Sequence, residues 1–95
     1  MQWVEGRNYL QKTSSTLTYC FDWSQWLNGL NIASYSVTAA SGLTVASSRN
    51  DTTRVWVSIS GVTLASPKTL TCTITTNANP YAQTDSRSIT IEGVS

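Results

Sequence analysis

The stretch "DWSQWLNGLNIASYSVTAASGLTV", residues 22–45, decides the fold. Trp23, Trp26 and Leu27 stand at i, i+3 and i+4, the spacing of a single helical turn, with Asp22 before it as an N-cap and Asn28-Gly29 after it as a stop. So short a helix does not stand alone. After Gly29 the period drops to two: Ile32 and Ser34 alternate with Ala33, Tyr35 and Val37 over about residues 30–39. Ser41-Gly42 then separates this run from Leu43, Thr44 and Val45. A helical turn between strands is a corner. Two large aromatic side chains at a corner pose a choice between catalysis, ligand binding and architecture.

On either side of this stretch the alternation continues. Upstream, "TLTYCFD" (16–22) sets Leu17, Tyr19 and Phe21 on one face. Downstream, "TTRVWVSIS" (52–60) sets Val55, Val57 and Ile59 against Arg54, Trp56 and Ser58. "KTLTCTITT" (68–76) presents Leu70, Cys72 and Ile74, and "TDSRSITIEGV" (84–94) presents Ile89 and Ile91. "SRND" (48–51) and "NANPYAQ" (77–83) read as turns. Residues 61–67 read as a connection with Val62 and Leu64 tucked in as a short edge segment. About seven short strands punctuated in this way predict an all-β protein, an immunoglobulin-like two-sheet antiparallel β-sandwich. Residues 1–15 have no clean period and read as an N-terminal arm with a short strand around Tyr9 to Gln11, leaving residues 16–95 as the sandwich domain.

Composition narrows the function. A chain of 95 residues makes one core. Only 12% of its residues are charged, while Ser and Thr supply roughly three in ten, as strands with a polar outer face require. The net charge is +1, and Arg7, Lys12, Arg49, Arg54, Lys68 and Arg87 are scattered singly, which argues against a phosphate-tracking surface and hence against nucleic acid as a partner. No apolar run approaches the roughly 20 residues that span a bilayer, and "MQWVEGRNYLQ" lacks the apolar region of a secretory signal.

Catalytic chemistry finds no foothold. The chain has no histidine. Glu5, Asp22, Asp51, Asp85 and Glu92 never form a close pair, and Cys20 and Cys72 lack partners at metal-ligand spacing. No Gly-rich phosphate loop or G-x-S-x-G elbow occurs. The expectation is a protein without enzymatic activity, cofactor or metal. Alternation sets Cys20 on the face of Thr16, Thr18 and Asp22 but Cys72 on the apolar face of its strand, so the two thiols are expected to stay free rather than bridge the sheets.

The runs "LTYCFDWSQWLNGLNIASYSVTAASGLTV", "TTRVWVSISG" and "TDSRSITI" resemble the short fibre-tail adaptor family of tailed bacteriophages. That family carries a D-W-S-x-W-L corner, an I-A-S segment, G-L-T-V, a V-W strand and a closing T-D-x-R-S-x-T-I. The resemblance covers roughly residues 16–92. It departs at "KTSS", where a K-D-P turn is usual, at Ser36-Val37, where a tryptophan is frequent, and in the last turn, which is longer and has Gln83 in place of an arginine. It implies a non-enzymatic virion protein, assembled in the host cytoplasm, that joins a fibre to the tail or head-tail junction. Its partners would be other virion proteins, as multiple copies in a symmetric assembly, with no membrane involved. An immunoglobulin-like adhesion or carbohydrate- or protein-binding module of a bacterial surface protein is the alternative.

Within that picture, Trp23 and Trp26 are expected to plug an open end of the sandwich. Trp26 is the member of the pair that an exposed platform would use. Trp56 points away from Val55 and Val57, either capping an edge or meeting another subunit. Trp3 and Tyr9 lie in the arm, of which residues 1–11 are expected to order only on a neighbouring subunit, with Trp3 as anchor. Trp3, Tyr9, Trp56 and Trp26 are therefore the candidate partner-binding residues.

Overall fold

A strand of alternating character has one apolar face, and that face must be covered by another. The computed structural model describes residues 2–3, 8–77 and 81–95, with the backbone alone for residues 2, 3, 65 and 66. Its strands are β1 (Gln2–Trp3), β2 (Asn8–Lys12), β3 (Leu17–Asp22), β4 (Ile32–Ala39), β5 (Thr44–Asn50), β6 (Arg54–Ser60), β7 (Ala65–Thr76) and β8 (Thr84–Val94). One short helix, α1 (Ser24–Leu27), lies between β3 and β4.

The strands form two sheets, ordered β1-β3-β6-β5 and β2-β8-β7-β4. With the first strand divided between the sheets, this is the A-B-E-D and C-F-G arrangement of an immunoglobulin-type sandwich. The pairings β3/β6, β5/β6, β4/β7 and β7/β8 are antiparallel, whereas β1/β3 and β2/β8 are parallel. Tyr19, Phe21, Val55, Val57 and Ile59 from one sheet meet Leu70, Cys72, Ile74, Ile89 and Ile91 from the other, all but fully buried.

Local chemistry moves one strand boundary and one strand's alternation from where the sequence places them. β5 runs on through "SRN" because Arg49 pairs with Trp56 and Asn50 with Val55. The turn sits after it, where Asp51 Oδ1 accepts the N–H groups of Thr53 and Arg54, each at 2.8 Å. In β4 a register shift between Ile32 and Ser34 resets the alternation. Buried Ile32 therefore shares the core side with partly buried Tyr35 and Val37 instead of opposing them.

The N-terminal segment also differs from expectation. Instead of ordering only on a neighbour, residues 8–12 pair with residues 90–94 of the same chain. Tyr9 packs edge-to-face on Tyr19, 5.4 Å between centroids. Gln11, 1% exposed, ties the sheets together: its Nε2 donates to Ile59 O at 2.8 Å, and its Oε1 accepts from the Tyr19 hydroxyl at 2.9 Å. Residues 4–7, with Val4 and Arg7, lie outside the described residues, as does the side chain of Trp3.

Cys20 and Cys72 are both free. They occupy the two strands that carry the disulfide in antibody domains, but register explains why they do not bridge. Cys20 lies opposite Trp56 on the outward side of its sheet, and Cys72 belongs to the core. Although Cys20 faces outward, it is fully buried.

Burial has a consequence at high pH. It pushes the Tyr19 hydroxyl up to about 12 from 10.0, with Tyr9 adding to the effect, and pushes the Cys72 thiol from 9.0 to about 12 despite the opposing Arg87. Both groups favour the neutral form in the folded state, so their contribution is complete below the unfolded values and is lost as pH rises toward 12. Denaturant titrations should show stability falling from about pH 9. Tyr19→Phe should flatten the fall between about pH 10 and 12 by one proton's worth, roughly 1.4 kcal/mol per pH unit. An unchanged slope in the variant would contradict this assignment.

Candidate interaction surfaces

The corner between β3 and β4 is held by groups far apart in sequence. Trp23 continues the inward parity of Tyr19 and Phe21, is fully buried, and stacks on Phe21 at 5.8 Å. A buried indole N–H needs an acceptor, and Asp85 Oδ2 supplies it at 2.9 Å. Arg87 sits over the Trp23 ring at 4.8 Å, donates to Asp22 O at 2.7 Å and lies 3.7 Å from Asp85 Oδ2. Asp22 faces outward to Arg54, 3.7 Å away. The D-W-S and T-D-S-R segments are thus two halves of one clamp between the sheets.

Helix α1 needs this support because it is four residues long. Its N-cap position falls on Trp23, without a side-chain cap, and not on Asp22, which acts one residue ahead of it. Its Oδ1 accepts the Ser24 N–H at 2.9 Å, which is the main reason its carboxyl lies below the usual range, while partial burial opposes the shift and Arg54 helps it. Asn28, with φ of 47°, and Gly29, with φ of 93°, end the turn in the left-handed region, as the Asn-Gly pair predicts.

The clamp orients what remains exposed. Trp26, on the same turn, is 37% exposed. It borders a shallow depression with Leu27, Asn28, Gly29, Leu30 and Gln83. Asn77, where the β7–β8 connection begins, is fastened to this end, since Asn77 N donates to Asn31 O and Asn31 N donates to Asn77 Oδ1, both at 3.0 Å. Tyr81 in the same loop is 78% exposed. The β3–β4 and β7–β8 connections therefore gather two exposed aromatic residues at one end of a molecule 47 Å long.

A second surface lies on the outside of the β1-β3-β6-β5 sheet. Cys20, Trp56 and Arg49 are register partners on β3, β6 and β5, and residue 3 on β1 continues the same row. Trp56 is partly buried, with the Arg49 guanidinium over its ring at 4.9 Å. Beside them Thr18 and Ser58 share a hydroxyl hydrogen bond of 2.7 Å.

The four candidate residues do not form one site. Trp26 is at the loop end, Trp56 on the outer sheet face, and Tyr9 turned toward the core, while only the strand position of Trp3 is described. Sequence reasoning missed Gln11, Arg49, Asp85 and Arg87. A cue existed for two of them: the parity that turns Ile89 and Ile91 inward also turns Asp85 and Arg87 inward, and inward charges demand partners.

Among models of known families, the one described as "Podophage GP4 fiber-tail adaptor protein gp77" matches residues 11–92. No curated protein matches the chain.

Proposed function

This chain belongs to the podophage GP4 fiber-tail adaptor family, and we propose that it is a non-enzymatic virion protein that fixes a fibre to the tail or to the head-tail junction. The family match over 82 of 95 residues carries this reading, counted from residue 11 through residue 92. Other tail and fibre proteins are then its partners, and it serves in multiple copies arranged with the symmetry of the tail.

The fold suits a mechanical task. A joint needs a body that does not deform and at least two separated places to hold. Here the body is a sandwich whose sheets are linked through Gln11 and through the Asp85–Trp23–Arg87 clamp. The loop end around Trp26 and the outer sheet face at Trp56 are separated surfaces, each centred on an aromatic residue of the kind that dominates protein interfaces.

Of these, the loop end makes the firmer contact in this proposal, because the clamp behind it fixes Trp26 before binding and lowers the ordering cost. Trp26→Ala is expected to change unfolding stability by less than about 1 kcal/mol, since the side chain is partly solvated. It should nevertheless reduce the amount of this protein recovered with purified particles by at least about tenfold, the effect of losing a single interface anchor. Quantitative mass spectrometry of particles would measure it. Normal incorporation of the variant would move the contact elsewhere.

A further inference from the structure

The outer face of the β1-β3-β6-β5 sheet has a groove of about 320 Å³ lined by Thr18, Ser47, Ser48, Arg49, Trp56 and Ser58. We infer that this groove receives an acidic side chain of a partner protein, with Arg49 binding its carboxylate. The inference rests on the adaptor reading above and adds to it the chemistry of one contact.

Arg49 differs from the other described arginines. Arg54 is spent on Asp22 and Arg87 on Asp85 and the Asp22 carbonyl. Among the described residues no carboxylate lies within ion-pair distance of Arg49, whose guanidinium rests over Trp56 at 4.9 Å. A cation–π contact fixes the head group without consuming its N–H donors, and a guanidinium held in place is suited to carboxylate recognition. The surroundings add polarity without charge. Because Thr18 and Ser58 hydroxyls bond to each other, one O–H of the pair remains to donate into the groove. Among the described residues, an anion entering here meets one cation and several hydroxyls and no acidic lining residue.

The occupant is narrowed further by what the groove lacks. A nucleic-acid backbone is tracked by a row of cations, and here, among the described residues, one arginine stands among hydroxyls. A second copy docking its own β5 is disfavoured, because residues 44–50, "TVASSRN", contain no acidic residue to offer. β5 is the last strand of its sheet and exposed along its whole length, so a partner segment reaches the groove from the open edge.

Particles assembled with a photo-crosslinking amino acid in place of Ala46, exposed in β5 next to the groove, provide the test. Irradiation should link this protein to a segment of another virion protein that has an Asp or Glu close to the crosslink. Arg49→Glu should unfold like the parent yet be incorporated at least about tenfold less. Replacing the crosslinked acid by Lys in the partner should restore incorporation. Normal incorporation of Arg49→Glu, crosslinks confined to copies of this chain or to nucleic acid, or failure of the charge swap would each overturn the inference while leaving the adaptor reading intact. Absence of the protein from particles altogether would sink both.

Discussion

Replacing Trp23 with alanine is expected to remove about 4 kcal/mol of folding stability, the cost of emptying a large aromatic site, and to lower the melting temperature by roughly 20 °C in a domain of this size. Two terms combine. The first is a cavity beside Phe21, against which the indole stacks at 5.8 Å. The second is the loss of partners, because Asp85 Oδ2 gives up the indole N–H and Arg87 gives up the ring beneath it. Trp23→Phe separates these effects. It keeps an aromatic ring but leaves Asp85 without the indole donor, so about 1–3 kcal/mol should remain lost. Thermal unfolding followed by circular dichroism measures both, and a Trp23→Ala variant as stable as the parent would mean that the corner is decoration.

Removing residues 1–12 is expected to cost about as much, near 4 kcal/mol. The deletion takes away the Tyr9–Tyr19 edge contact, about 0.5–1.5 kcal/mol beyond its buried area. It also strips Gln11 from two buried groups, Ile59 O and the Tyr19 hydroxyl, each orphan costing about 1–3 kcal/mol. Gln11→Leu isolates the hydrogen-bond part, with an expected loss of about 2–4 kcal/mol even though leucine is the more apolar side chain. Urea unfolding of the two variants checks the split. If the truncated chain unfolds like the full one, the segment is an arm after all, and its role lies with a partner.

These two cases show what a single sequence reveals and what it hides. Alternation in "TTRVWVSIS" and "TLTYCFD" is a local property, so Val55, Val57, Tyr19 and Phe21 were legible as core; of the two tryptophans expected to plug the corner, Trp23 does so, whereas Trp26 is 37% exposed. Gln11 was not, because its partner Ile59 is 48 positions away and nothing near Gln11 marks it as buried. Residues 8–12 have no period of their own since they lie parallel to β8 at the margin of a sheet, where one polar side chain does the anchoring. Arg49 reads as a turn residue by type and becomes a strand residue only because Trp56 stands opposite. Among the candidate contacts, the exposure of Trp26 followed from its place on the outer side of a short turn. The groove at Trp56 depends on two neighbouring strands and had no local sign.

As proposed, this protein is the joint between fibre and tail. Electron microscopy of particles made without it tests that most directly. Heads and tails should assemble and lack fibres, with fibres restored when the protein is supplied from a plasmid. Particles that keep a full set of fibres in its absence would contradict it.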